Sequence, residues 1–87
     1  MIVEDDEVIA CAVQQSLVSW GMDAFCVQDF SSVLAEFAVK NPQLVLMDIH
    51  LPFFNGFHWC QEIRKVSKVP VIFLSSASDN MNIYYGR

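Results

Sequence analysis

Along the chain, short unbroken apolar runs alternate with longer stretches in which apolar residues recur every three or four positions. The runs read as strands and the stretches as amphipathic helices. Met1, Ile2 and Val3 form a short first strand. Over 6–20, Ile9, Ala12, Val13, Leu17 and Trp20 stand at the spacing of one buried helical face, and Gly21 supplies the stop. Residues 24–27 predict a second strand. Ser31 or Ser32 caps a helix whose stripe is Val33, Leu34, Phe37 and Ala38, and the pair Asn41 and Pro42 ends it. The run over 44–47 stops at Asp48 and, lacking alternation, suits a central parallel strand covered on both faces. Pro52, Asn55 and Gly56 mark a loop into a helix over 57–66, and Pro70 opens a strand over 71–74.

The order β-α-β-α-β-α-β, joined by right-handed crossovers, predicts an α/β fold with a doubly wound parallel sheet. Ligands of such sheets sit outside the carboxyl ends of the strands. Glu4 and Asp5 after the first strand, Asp48 after the third and Ser75 after the fourth all fall at that edge.

Composition narrows the picture. Eighty-seven residues allow one domain. A hydrophobic fraction of 54% with only 17% charged residues argues against disorder and leaves apolar surface for a partner. Ten acidic against five basic residues give a net charge of −5, which repels nucleic-acid phosphates and anionic lipid. The cysteines, Cys11, Cys26 and Cys60, are odd in number and widely spaced, and read as buried thiols of a reducing cytosol. No segment reads as a secretion signal or reaches the length of a membrane span, so the expected location is cytoplasmic, with no membrane partner.

The run Glu4, Asp5, Asp6, Glu7 supports two readings. Acidic residues favour the first turn of a helix, where the peptide dipoles leave positive charge. Clustered carboxylates also repel one another, by about 4 kcal/mol per pair at 4 Å and an effective dielectric of 20, and a hard divalent cation relieves that. Asp48 shifts the balance toward the second. It ends a buried strand, has no capping duty as evident as that of Asp6, and suits a carboxylate nucleophile for a phosphoryl group as well as a loop-side acceptor. Ser75 and Ser76 could offer donors to an incoming phosphoryl oxygen, or merely form a turn. A phosphate cradle after the first strand is excluded by its acidity. His50 and His58, eight positions apart in the sequence, do not share a helical turn as zinc ligands would, and no His is placed by sequence to activate a cysteine.

The strings IVEDDE, LVLMDIHLPFFNGF and VPVIFLSSASD, in this order and at these strand ends, resemble the receiver domain of two-component response regulators. The further string WCQEIRKVSKVPVIFLSS looks most like the DNA-binding regulators paired with kinases that sense bacitracin and other antimicrobial peptides. The resemblance implies a flavodoxin-like fold, incomplete at four of five βα units. Residues 1–83 would be a partial receiver, and Tyr84, Tyr85, Gly86 and Arg87 a tail that departs from the family's fourth helix.

By the same resemblance Asp48 is the phosphoacceptor and Asp5 a direct ligand of magnesium or manganese. Glu4 acts through water, and the His50 backbone carbonyl completes the protein ligands. Ser75 is the switch hydroxyl and Ser76 contacts a phosphoryl oxygen. The donor would be a phosphohistidine on a sensor histidine kinase, which makes the chain a regulatory phosphoacceptor rather than an enzyme. DNA would be reached only through a domain absent from this chain.

The family's strand-five Lys is missing, and neither Lys65 nor Lys68 is a natural substitute. Without that strand, 71–74 is expected to be an open edge with Ile72 and Leu74 uncovered, favouring a homodimer or swapped oligomer. An alternative function is a truncated, non-catalytic pseudo-receiver that serves as an association module.

Overall fold

Strand β1 (Ile2–Val3) is an apolar pair, and both residues are fully buried. It pairs in parallel with β2 (Val45–Asp48), which pairs in parallel with β3 (Val71–Ser75). The register sets Ile2 against Leu46, Val3 against Met47, and Asp48 against Leu74. These facts come from a computed structural model, which describes residues 1–75 and 82–86. Three helices intervene: α1 (Glu7–Ser19), α2 (Val33–Lys40) and α3 (Gly56–Arg64).

Strand alternation decides the two faces. Val3, Val45, Met47, Val71 and Phe73 form one face, packed with Val33 and Phe37 of α2 and with Trp59, Cys60 and Ile63 of α3 in a single apolar core. Ile2 and Leu46 turn to the other side, where α1 lies against β1. Helices thus lie on both faces of the three parallel strands, as the alternating pattern predicts.

Local chemistry explains the boundaries. Asp6 caps α1, its carboxylate accepting from the Val8 and Ile9 backbone N–H groups at 3.0 and 3.3 Å. Asn41 ends α2 in the left-handed conformation at φ 46°, a habit of Asn. Asn55 caps α3 by accepting from the His58 N–H at 2.9 Å. Ser32 stands at the N-cap of α2 but makes no side-chain bond there, while Ser31 is tied to Asp29.

Four expectations are corrected. The strand over 24–27 shrinks to one parallel bridge between Ile2 and Cys26, made by Ile2 N–H to the Phe25 carbonyl and Val27 N–H to the Ile2 carbonyl, both 2.9 Å. With only two residues in β1, no longer ladder can form beside it. The 71–74 edge is not open: β4 (Asn82–Gly86) pairs with β3 antiparallel, from Val71 against Gly86 to Ser75 against Asn82. Leu74 is buried rather than bared, and Ile72 is half-buried. On α1, Ala10 is the buried residue, whereas Ala12, about 200° round the helix from it, is exposed, and Trp20, the C-cap residue, is 74% exposed.

Candidate functional site

At the carboxyl ends of β1 and β2, Glu4, Asp5 and Asp48 each bring a carboxylate oxygen within 4.8 Å of the others. Parallel pairing causes this, since Val3 stands beside Met47 and both chains leave the sheet at the next residue. The acidic run divides its labour. Glu4 is only 4% exposed and Asp48 2%, whereas Asp5, Asp6 and Glu7 face solvent. Asp6 serves the helix cap. Both readings of the run are therefore realised, at different residues.

Two backbone donors hold the buried carboxylates. The Asp6 N–H donates to Glu4 Oε1 at 3.0 Å, and the His50 N–H donates to Asp48 Oδ1 at 3.2 Å. Glu4 Oε2 is buried without a hydrogen-bond partner among the described residues. Burial pushes the Glu4 carboxyl up to about 7; the Asp6 N–H pulls it down, and the neighbouring Asp48 adds to the rise. An orphaned buried carboxylate oxygen beside two further carboxylates, with no nitrogen or sulfur among them, is a donor set for a hard oxygen-seeking cation.

The loop after Asp48 is folded back tightly. The Gly56 N–H reaches the Ile49 carbonyl at 2.9 Å, and Gly56 is buried against β2. A Cβ at this position would collide with the Asp48 carbonyl oxygen and come within 2.9 Å of Met47 Cγ. Phe53 takes φ 70° in a γ-turn closed by the Phe54 N–H to the Pro52 carbonyl at 2.9 Å. Phe54 stacks on His58 at 4.3 Å and meets the edge of Trp59 at 5.5 Å.

A family model described as the response regulator receiver domain matches residues 1–85. The chain belongs to that family. The sensory transduction protein BceR of Bacillus subtilis (strain 168) is 49% identical over 76 residues, covering 87% of this chain and 33% of BceR. The response regulator protein GraR of Staphylococcus haemolyticus is 39% identical over 82 residues, 94% of this chain and 37% of GraR. The receiver thus spans about a third of the length of these relatives. Among solved structures, the N-terminal domain of the nisin resistance regulator NsrR, a lantibiotic response regulator, superposes with a TM-score of 0.79 at 43% identity over 93% of this chain and 68% of that one. The BeF3-activated receiver domain of Klebsiella pneumoniae RstA gives 0.82 at 28% identity over 91% and 68%. The flavodoxin-like architecture and the likeness to regulators of the BceR, GraR and NsrR type follow.

Of the residues singled out by sequence, the receiver gathers Glu4, Asp5 and Asp48 at one point and brings the His50 backbone to them. Ser75 ends β3 one position beyond the residue opposite Asp48. Ser76 lies outside the described residues, as do 77–81 and Arg87. Sequence reasoning missed the contact of Gly56 with Asp48, although a Gly opening a helix directly after an Asn cap was the available signal. It also placed all three thiols inside, whereas Cys11 is exposed, Cys26 half-buried and Cys60 buried.

Proposed function

We propose that this receiver accepts a phosphoryl group on Asp48 from the phosphohistidine of a sensor histidine kinase. The observation that carries the reading is the placement of Asp48: a buried carboxylate at the end of a central strand, oriented by the His50 N–H and faced by Glu4 and Asp5. An Asp48 oxygen forms the new O–P bond as the P–N bond to the imidazole breaks, and the imidazole nitrogen keeps the electron pair and takes a proton. Gly56 keeps the Asp48 main chain in place by leaving room for its carbonyl.

Asp5, Asp48 and the His50 carbonyl are assigned as direct ligands of magnesium or manganese, with Glu4 acting through water; the oxygen-only donors and the orphaned Glu4 Oε2 suit such an ion. Bound there, the ion would offset the negative charge gathered by the phosphoryl oxygens. Ser75 is assigned the hydroxyl that follows phosphorylation, and Ser76 a phosphoryl-oxygen contact. In the whole protein the output is transcriptional, through a DNA-binding domain beside the receiver, and the compartment is the cytoplasm. Among the described residues no helix is long and apolar enough to cross a membrane. The β3 edge from which self-association was expected is covered by β4, and gel filtration across a concentration range tests whether copies still associate.

Acetyl phosphate with magnesium, followed by intact-mass measurement, tests the main reading. One phosphate should be added to the wild type and none to Asp48→Asn. Label persisting in Asp48→Asn would overturn the assignment. No label on the wild type would favour the association module.

A further inference from the structure

Beside the acidic site, α1 and the segment bridged to Ile2 enclose a cleft of about 460 Å³ lined by Glu4, Asp5, Gln14, Cys11 and Cys26. Cys26 Sγ stands 3.9 Å from the Ala10 carbonyl oxygen and 3.9 Å from Gln14 Oε1, so it rests on the turn of α1 that carries Cys11. Cys11 is exposed, and its sulfur takes a weak 3.7 Å contact from Gln15 Nε2, which a side-chain rotation releases. The geometry points to a reversible Cys11–Cys26 disulfide, a modification site that ties α1 to the strand segment at the mouth of the acidic cleft. Burial raises the Cys26 thiol, and Cys11 lies near enough to add to that rise.

The order of events follows from exposure. A low-molecular-weight disulfide such as oxidised glutathione reaches Cys11 first. The Cys11 thiolate attacks one glutathione sulfur, forming a mixed disulfide as the glutathione S–S bond breaks and one glutathione thiolate leaves. Cys26 then gives its proton to solvent and its thiolate attacks the Cys11 sulfur, expelling the second glutathione. Two protein thiols are oxidised by two electrons, and one glutathione disulfide becomes two glutathiones. Buried Cys60 stays out of reach and serves as an internal control of folding.

The test is oxidation of the folded chain with oxidised glutathione, alkylation of remaining thiols, and digestion with a protease that cuts after acidic residues. Such cleavage separates residues 8–23, with Cys11, from 24–29, with Cys26. The two peptides should appear joined and part on reduction, with Cys60 found alkylated only after denaturation. In Cys26→Ser the glutathione adduct on Cys11 should accumulate instead of resolving, and in Cys11→Ser residue Cys26 should stay unmodified. A stable glutathione adduct on wild-type Cys11 with Cys26 free, a dimer joined through Cys11, or oxidation of Cys60 to the same extent would each overturn the proposal.

Discussion

The Asp48 carbonyl oxygen occupies the space where a side chain on Gly56 would begin. The close approach lets the loop between β2 and α3 close through the Gly56 N–H to the Ile49 carbonyl, and it fixes the main chain that carries the candidate phosphoacceptor. Gly56→Ala should therefore act on stability and on the site together. The backbone clash cannot be relieved by rotating a side chain, so we expect a loss of about 2–4 kcal/mol in urea unfolding, within the range of severe overpacking. The folded fraction of Gly56→Ala should also take less phosphate from acetyl phosphate than the wild type. An unfolding midpoint equal to wild type would show that the loop has another way to close.

Asp6 gives a cleaner local test. Its carboxylate satisfies two backbone donors at the start of α1 and lies outside the buried pair Glu4 and Asp48. Asp6→Ala should cost about 1 kcal/mol, the usual worth of an N-cap. Asp6→Asn or Asp6→Ser should recover most of that loss in the same denaturation assay. The Asp6 N–H to Glu4 belongs to the main chain and survives all three changes.

Much of this fold is legible from apolar patterning, because a continuous run such as 44–47 and the stripe of Val33 and Phe37 each have one physical use. The residues that misled were those whose environment is set by strand neighbours. Residues 24–27 have strand-like side chains, yet only Ile2 offers them free backbone groups, so one bridge forms. The pattern in α1 suggested Ala12 and Trp20 as inward residues, but Ala12 stands on the far side of the helix from buried Ala10 and Trp20 caps its end. Tyr84 and Tyr85 are good strand formers, yet set against the family's fourth helix they read only as a departing tail, and the pairing of Asn82–Gly86 with β3 is not legible from that comparison. At the site, the capping duty of Asp6 is legible in sequence, but the burial of Glu4 against the exposure of Asp5 is not. Only the register of β1 on β2 separates the buried Glu4 from the exposed Asp5.

Phe53 is 77% exposed and holds φ 70°, a region that non-glycine residues adopt at a cost. Its ring contributes little burial, so Phe53→Gly removes strain worth about 1–3 kcal/mol while adding roughly 0.5–1 kcal/mol of chain entropy to the unfolded state. The net expectation is stabilisation of about 1 kcal/mol, read as a higher midpoint in urea. Phe53→Val should move the midpoint the opposite way, since a β-branched side chain tolerates positive φ poorly. Destabilisation by Phe53→Gly would mean that the exposed ring holds the loop through contacts that outweigh the strain.

Glu4 makes stability depend on pH in a direction opposite to that of most carboxylates. Its carboxyl is raised from 4.5 to about 7, chiefly by burial and further by Asp48, so the folded chain holds a proton there that the unfolded chain has already released. Stability rises with pH only where the unfolded state binds more protons, and here the folded state binds more. The contribution is therefore fully present below about pH 4.5 and lost as pH climbs through about 7. In chelator, Glu4→Gln should flatten that decline between those pH values and melt at a higher temperature than wild type near pH 8. Magnesium should act in the reverse sense, because a cation stabilises the ionised cluster: its stabilising effect on the wild type should grow as pH rises through about 7. Asp5→Ala should abolish the magnesium effect while keeping the decline in chelator. Thermal melts of the three proteins across this range, with and without magnesium, check each arm, and a wild type whose stability rises through the same window in chelator would contradict the buried, protonated Glu4.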